Sequence, residues 1–153
     1  MEFGTIEREI YVDAAPEIVF EVVSSPDHLK GWWPDQADYS PTPGSVGQIT
    51  FGDPDAGGGV VPLTVLDVRP PHRFRFRWAH AAGEVAAEGN SFLVTFDLTP
   101  SAGGTLLKMT ETGFRERGWE AAVLEHEYRE HVTGWDYFLP RLAPYVATLE
   151  VRA

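Results

Sequence analysis

The sequence contains no cysteine, which excludes disulfides, thiolate metal sites and cysteine nucleophiles together. It is also poor in basic residues: 12 Lys and Arg stand against 23 Asp and Glu, a formal charge of −11 over 153 residues. A surface of that sign repels phosphate backbones, so nucleic acid is not an expected partner. No apolar run approaches membrane-spanning length, so no membrane span is expected. The first residues carry no basic segment followed by an apolar stretch, so no signal peptide is expected. A cytoplasmic location follows by default. Two further motifs are missing: a glycine-rich phosphate loop between a strand and a helix, and a serine-centred nucleophile elbow.

What the chain does have is rings. Aromatic residues make up 12% of it, with five tryptophans, a supply that suits either a bulky core or an aromatic-lined pocket. Its length is enough for one domain, residues 1–153, with a real core.

The last stretch organises the rest. From about Glu120 to Leu149, the residues Val132, Trp135, Leu139, Leu142, Val146 and Leu149 recur at spacings of 3, 4, 3, 4 and 3. That is one continuous stripe on a helix, widened by Phe138 and Tyr145. Pro140 and Pro144 fall on the opposite side. Each removes a backbone donor and crowds the carbonyl four residues earlier. Because the stripe stays in phase across both, the expectation is a single helix bowed over whatever it covers. A break near Pro140 is the alternative.

The earlier chain reads mostly as strands. Thr5 to Val12 sets Ile6, Arg8, Ile10 and Val12 against Glu7, Glu9 and Tyr11, with Arg8 as a snorkelling edge position or, alternatively, a charge pointing into a cavity. Asp13-Ala14-Ala15-Pro16 opens a helix buried through Val19, Phe20, Val22 and Val23. Ser25-Pro26-Asp27 stops it, and a short second helix is expected from His28 to Trp32. Strands follow at Val46–Phe51, Val60–Val68, Arg73–Trp78, Ser91–Leu98 and Thr105–Thr112, with a hairpin connection over Pro100–Gly104. In Arg73–Trp78 three aromatics face one way and three arginines the other, as a sheet with one wet face requires. Gly52–Gly59 and Ala79–Asn90 read as loops. The expected class is α+β: a curved antiparallel sheet of about six strands around a long C-terminal helix, with two short helices at the mouth of an apolar gap.

Several segments carry a resemblance. Ile6-Glu7-Arg8-Glu9-Ile10 leads to Ala15-Pro16-Glu17-Ile18-Val19-Phe20, and Ser25-Pro26-Asp27-His28-Leu29 to Trp32-Trp33-Pro34. Val68-Arg69-Pro70-Pro71-His72-Arg73-Phe74 leads to Trp78. Gly113-Phe114 and His131-Val132-Thr133-Gly134-Trp135, with Leu139 and Leu142, complete the set. In this order and across nearly the whole chain, they resemble the SRPBCC superfamily of START and Bet v 1-like helix-grip proteins. Within it they are similar to the group related to the C-terminal domain of the activator of Hsp90 ATPase. The resemblance implies the helix-grip fold. It also implies one of several activities: binding of hydrophobic ligands such as lipids, stimulation of a chaperone, or polyketide cyclisation and other reactions. Pro140, Pro144, the glycine-rich loop and Ala79–Asn90 depart from the group's pattern.

Metal chemistry finds little support. His126 and His131 are five apart with Glu127 and Glu130 between, and a zincin helix needs a spacing of four. The stretch therefore reads as a solvated, charged helix start. Asp53-Pro54-Asp55-Ala56-Gly57 hints at a calcium loop, but Thr64 stands where the bidentate acid belongs. No metal and no cofactor are expected. The candidate ligand-binding residues are Trp32, Phe74, Phe76, Trp78, Phe92, Phe96, Met109 and Trp135, each of which could equally be plain core. Trp78 and Trp32 are expected at the pocket wall, and Trp135 as the clamp of helix on sheet. Glu111 is the one acid on an inward-facing parity. At a wet strand end, the plainer expectation, it would be unremarked. Buried, it would be a hydrogen-bond anchor or a general acid/base. The expectation as a whole is a monomer or homodimer that binds a small, mainly hydrophobic molecule without catalysis. An enzyme (a cyclase or hydrolase using Glu111 or a histidine) and a chaperone co-regulator are the alternatives.

Overall fold

A computed structural model describes residues 3–52 and 58–151; residues 53–57, weighed above as a calcium loop, lie outside the described residues. Period-two alternation builds seven strands: β1 (Thr5–Val12), β2 (Gln36–Asp38), β3 (Val46–Phe51), β4 (Gly59–Arg69), β5 (Arg73–Trp78), β6 (Phe92–Ser101) and β7 (Gly104–Thr112). They form one sheet in the order β1-β7-β6-β5-β4-β3-β2, with every neighbour antiparallel. The seventh strand, one more than expected, is β2. At three residues it is too short to show a period.

The two faces of the sheet differ as β5 predicts. Phe74 and Phe76 are fully buried, whereas Arg73, Arg75 and Arg77 stay partly exposed on the other side. There Asp67 pairs with Arg69 at 3.1 Å, Arg73 at 3.0 Å and Arg75 at 3.8 Å. Partial burial works against the charge on Asp67, but hydrogen bonds from Arg69 and Arg73 prevail and hold its carboxyl below the usual range. On the apolar face, Ile6, Glu111, Val94, Phe76 and Val65 lie in one cross-strand row. The connection between β6 and β7 is tighter than expected: Ala102 (φ 49°) and Gly103 (φ 85°) alone make the turn, as two-residue hairpins require.

Helix α1 (Pro16–Ser24) carries Pro16 in its first turn and packs on β5, β6 and β7. Helix α2 spans Pro26–Leu29, earlier than the expected His28–Trp32, because Pro26 is preorganised for a first turn. Trp32 then leaves the helix for the core, where its indole N–H donates to the Val22 carbonyl at 3.0 Å.

The C-terminal rod corrects another expectation. It is not one bowed helix but α3 (Ala121–Phe138), a 3-10 turn over Leu139–Arg141, and α4 (Leu142–Val151). Pro140 cannot bond the Asp136 carbonyl, so the α-helical ladder stops there. The backbone nevertheless stays right-handed through the joint, with φ/ψ of −84/−41° at Phe138, −58/−40° at Leu139 and −66/−50° at Leu142. The stripe therefore keeps its phase, and Trp135, Leu139, Leu142 and Val146 are all buried while both prolines face outward. Pro144 falls in the first turn of α4, with its ring on the exposed side. At the sheet edge, Arg8 on β1 donates Nε to Oδ1 of Asp136 on α3 at 2.7 Å. The whole is the helix-grip architecture: an open antiparallel sheet, a long C-terminal helical segment across its apolar face and short helices between.

Candidate ligand-binding site

The pleat of β7 sends Leu107, Met109 and Glu111 inward, and Gly113 (φ 110°) turns the chain away immediately afterwards. Glu111 is fully buried, not at a wet strand end. What covers it comes from far away in sequence. Trp78 at the end of β5 donates its indole N–H to Oε2 at 2.8 Å. Trp135 on α3 donates to Oε1 at 2.8 Å. His131, one turn before Trp135, places Nδ1 2.8 Å from the same oxygen. An ionised carboxylate only accepts and indoles only donate, so one acid joins β5, β7 and α3 through three hydrogen bonds. Buried polar clusters are stable in this fully partnered form and costly in any other.

The histidine corrects the expectation of a solvated helix start. His126 is indeed exposed, but the His131 side chain is only 14% accessible. Its ring packs against Phe92 at 4.4 Å, Phe114 at 5.0 Å and Trp78 at 5.5 Å between centroids. The five-residue spacing turns the two histidines apart. Nδ1 of His131 faces Glu111, and its Nε2 has no hydrogen-bond partner among the described residues.

Beside this cluster lies a cavity of about 480 Å³. Its aromatic walls are Trp33, Phe51, Trp78, Trp135 and Phe138, and its helical wall is the α3 face of His126, Glu127, Glu130, His131 and Gly134. The rings interlock: centroids are 4.9 Å apart for Trp33 and Trp135, 5.1 Å for Trp33 and Trp78, and 5.9 Å for Phe51 and Phe138. At Gly134 the helix shows bare backbone, and a Cβ added there would meet nothing within 4 Å.

Of the residues singled out from sequence, Trp78 and Trp135 line this cavity. Trp32, expected at the wall, is instead fully buried, and Phe74, Phe76, Phe92, Phe96 and Met109 are likewise core, none more than 3% exposed. Sequence reasoning missed Trp33, Phe51, His131 and the polar face of α3. A signal for the last was present: Glu127, Glu130, Gly134 and Phe138 recur at spacings of 3, 4 and 4, a second stripe beside the apolar one.

A larger hollow of about 940 Å³ lies on the other face of the sheet, beneath residues 80–86, where Thr64 and His80 meet at 3.1 Å. Small and polar residues dominate its lining, without the cluster of rings. Tyr39 at its border donates its hydroxyl to the Ser24 carbonyl at 2.7 Å, and burial pushes its phenol well above the ordinary value. Among the described residues, no three His, Asp or Glu side chains gather as a metal site. No helix among them is long and apolar enough to cross a membrane.

A sequence model of the family described as activator of Hsp90 ATPase homolog 1-like protein matches residues 13–147. No curated protein matches the chain. Among solved structures, protein MLL2253 from Mesorhizobium loti is 26% identical with a TM-score of 0.75, over 94% of this chain and 97% of that one. The Aha1 dimer from Colwellia psychrerythraea is 20% identical with a TM-score of 0.68, over 93% and 95%. DynU16, a protein of the dynemicin biosynthetic locus, is 24% identical with a TM-score of 0.71. That match covers 95% of this chain but 48% of DynU16.

Proposed function

This chain belongs to the activator of Hsp90 ATPase homolog 1-like family, and we propose that it binds a small, largely aromatic or apolar molecule in the cavity between β5 and α3. The observation that carries this reading is Gly134. Glycine inside a helix costs about 1 kcal/mol relative to alanine. Here it sits in the middle of α3, on the cavity wall, with open space where a side chain would stand. Packing does not require it: an added Cβ would meet nothing within 4 Å, so the space in front of the helix is unfilled. A volume of about 480 Å³ is within the range of small-molecule sites. Each 100 Å² of apolar ligand surface buried against these rings contributes roughly 2.5 kcal/mol before ordering costs. The Glu111 cluster fixes Trp78, Trp135 and His131, so the wall is preformed. The reading is tested by thermal unfolding against a library of small aromatic compounds: a bound ligand raises Tm by mass action. No stabilising compound among several hundred of suitable size would argue against it.

One observation favours a second reading, an enzyme. An imidazole whose Nδ1 is held by a buried carboxylate and whose Nε2 lacks a partner among the described residues has the arrangement of a general base. Turnover of a bound ligand, lost in a folded His131→Gln variant, would establish it. A chaperone co-regulator role rests on the family's description alone. It predicts capture of the chaperone through an exposed surface, indifferent to substitutions that fill the cavity.

A further inference from the structure

We propose that the cavity is built for an organic cation: a protonated amine or quaternary ammonium carried on an aromatic or apolar skeleton. The inference rests on the cavity being a ligand site and assigns the charge of its occupant.

The wall has a sign. Among the described residues no Lys or Arg lines it, and its formally charged side chains are Glu127 and Glu130, one turn apart on the same face of α3 as Gly134. Of the cations nearby, Arg141 lies over the rings of Tyr137 and Phe138, at 5.5 and 5.6 Å from their centroids, and two others are held by carboxylates. Arg129 donates to Glu125 at 2.8 Å, and Arg8 to Asp136 at 2.7 Å. Glu130 has only the exposed His126 at 3.9 Å, and Glu127 has no ion pair among the described residues. Half-buried Glu127, beside aromatic rings and without an ion pair among the described residues, with exposed Glu130 one turn on, is suited to a cation supplied by a ligand.

The rings point the same way. Trp78 and Trp135 spend their N–H donors on Glu111; Trp135 is buried behind the wall, and what the partly exposed Trp78 offers the cavity is ring surface, whose faces attract cations. Partly exposed Phe51 and Phe138 add more, Phe138 already accepting Arg141 over its ring. In the tautomer that donates Nδ1–H to Glu111, Nε2 of His131 accepts a hydrogen bond from an ammonium N–H. The formal charge of −11 enriches cations near the surface and repels anionic competitors.

The test uses three probes on one skeleton at low ionic strength and neutral pH: 1-naphthylmethylammonium, 1-naphthylmethanol and 1-naphthoate, titrated calorimetrically into the full chain. The expected order is cation, alcohol, carboxylate, with the cation at least tenfold tighter than the alcohol. In the Glu127→Gln/Glu130→Gln double variant that advantage should shrink to threefold or less while the affinity for the alcohol is unchanged. An alcohol that binds as tightly as the cation overturns the proposal, as does a cation advantage that survives the double substitution. If the alcohol alone binds, and Gly134→Leu abolishes its binding, the cavity reading stands and the charge assignment falls. If none of the three binds, both fall.

Discussion

Oε1 of Glu111 on β7 and Nδ1 of His131 on α3 stand 2.8 Å apart, and this contact joins the sheet to the helix that grips it. With the two indoles it forms a closed set of donors around one buried acid. Replacing Glu111 by Gln keeps the shape but supplies an NH2 group where the neighbours also donate. Unfolding in urea should show a loss of roughly 2–4 kcal/mol with an unchanged m-value. A loss below about 0.5 kcal/mol would mean that the cluster is not the clamp described here.

The helix glycine gives a prediction of opposite sign. Gly134→Ala adds a methyl that meets nothing within 4 Å, so only the gain in helix propensity remains. Stability should rise by about 0.5–1 kcal/mol, measured by the same denaturation. A fall would show that the space before Gly134 is not open.

Gly113 should tolerate no such change. It combines φ of 110° with backbone close by: an added Cβ would lie 2.7 Å from the Ser91 carbonyl oxygen. Gly113→Ala should cost at least about 2 kcal/mol, read as a lower urea midpoint. Equal midpoints would mean that the chain leaves β7 along another path.

Tyr39 makes stability depend on alkaline pH. Its phenol is raised by burial, so above the unfolded-state value of about 10 the unfolded chain releases a proton that the folded one retains. The unfolded state then binds fewer protons, and stability falls as pH rises from about 10 upward. Tyr39→Phe should flatten this part of the profile, at the cost of the hydrogen bond to Ser24. A decline of the same steepness in the variant would assign it to other groups.

Legibility in the sequence followed the range of the interaction. The sidedness of Arg73–Trp78 and the phase of the C-terminal stripe depend on neighbours two to four residues away, and both are found as expected. Pro140 shows the limit of periodicity: the stripe runs in phase through the joint because the dihedrals remain helical, so phase alone cannot tell a bow from a 3-10 turn. Parity placed Glu111 inward but could not say how deep, because its partners Trp78 and Trp135 lie 33 and 24 residues away. His131 was hidden in a charged run, and only Phe92 and Phe114, brought by the sheet, decide that it is enclosed. Trp32 and Trp33 stand side by side in the chain after a four-residue helix, too short to set which of them faces the cavity.

The most direct measurement is calorimetric titration of 1-naphthylmethylammonium, or of the best stabilising compound from the library, into the wild-type chain and into Gly134→Leu. The leucine Cβ would meet nothing within 4 Å, and the side chain would stand on the α3 wall of the cavity. Binding weakened at least tenfold, with thermal stability retained, is the predicted result. An unchanged Kd in a folded variant would contradict the claim that this space, held open by a glycine, is where the protein binds its ligand.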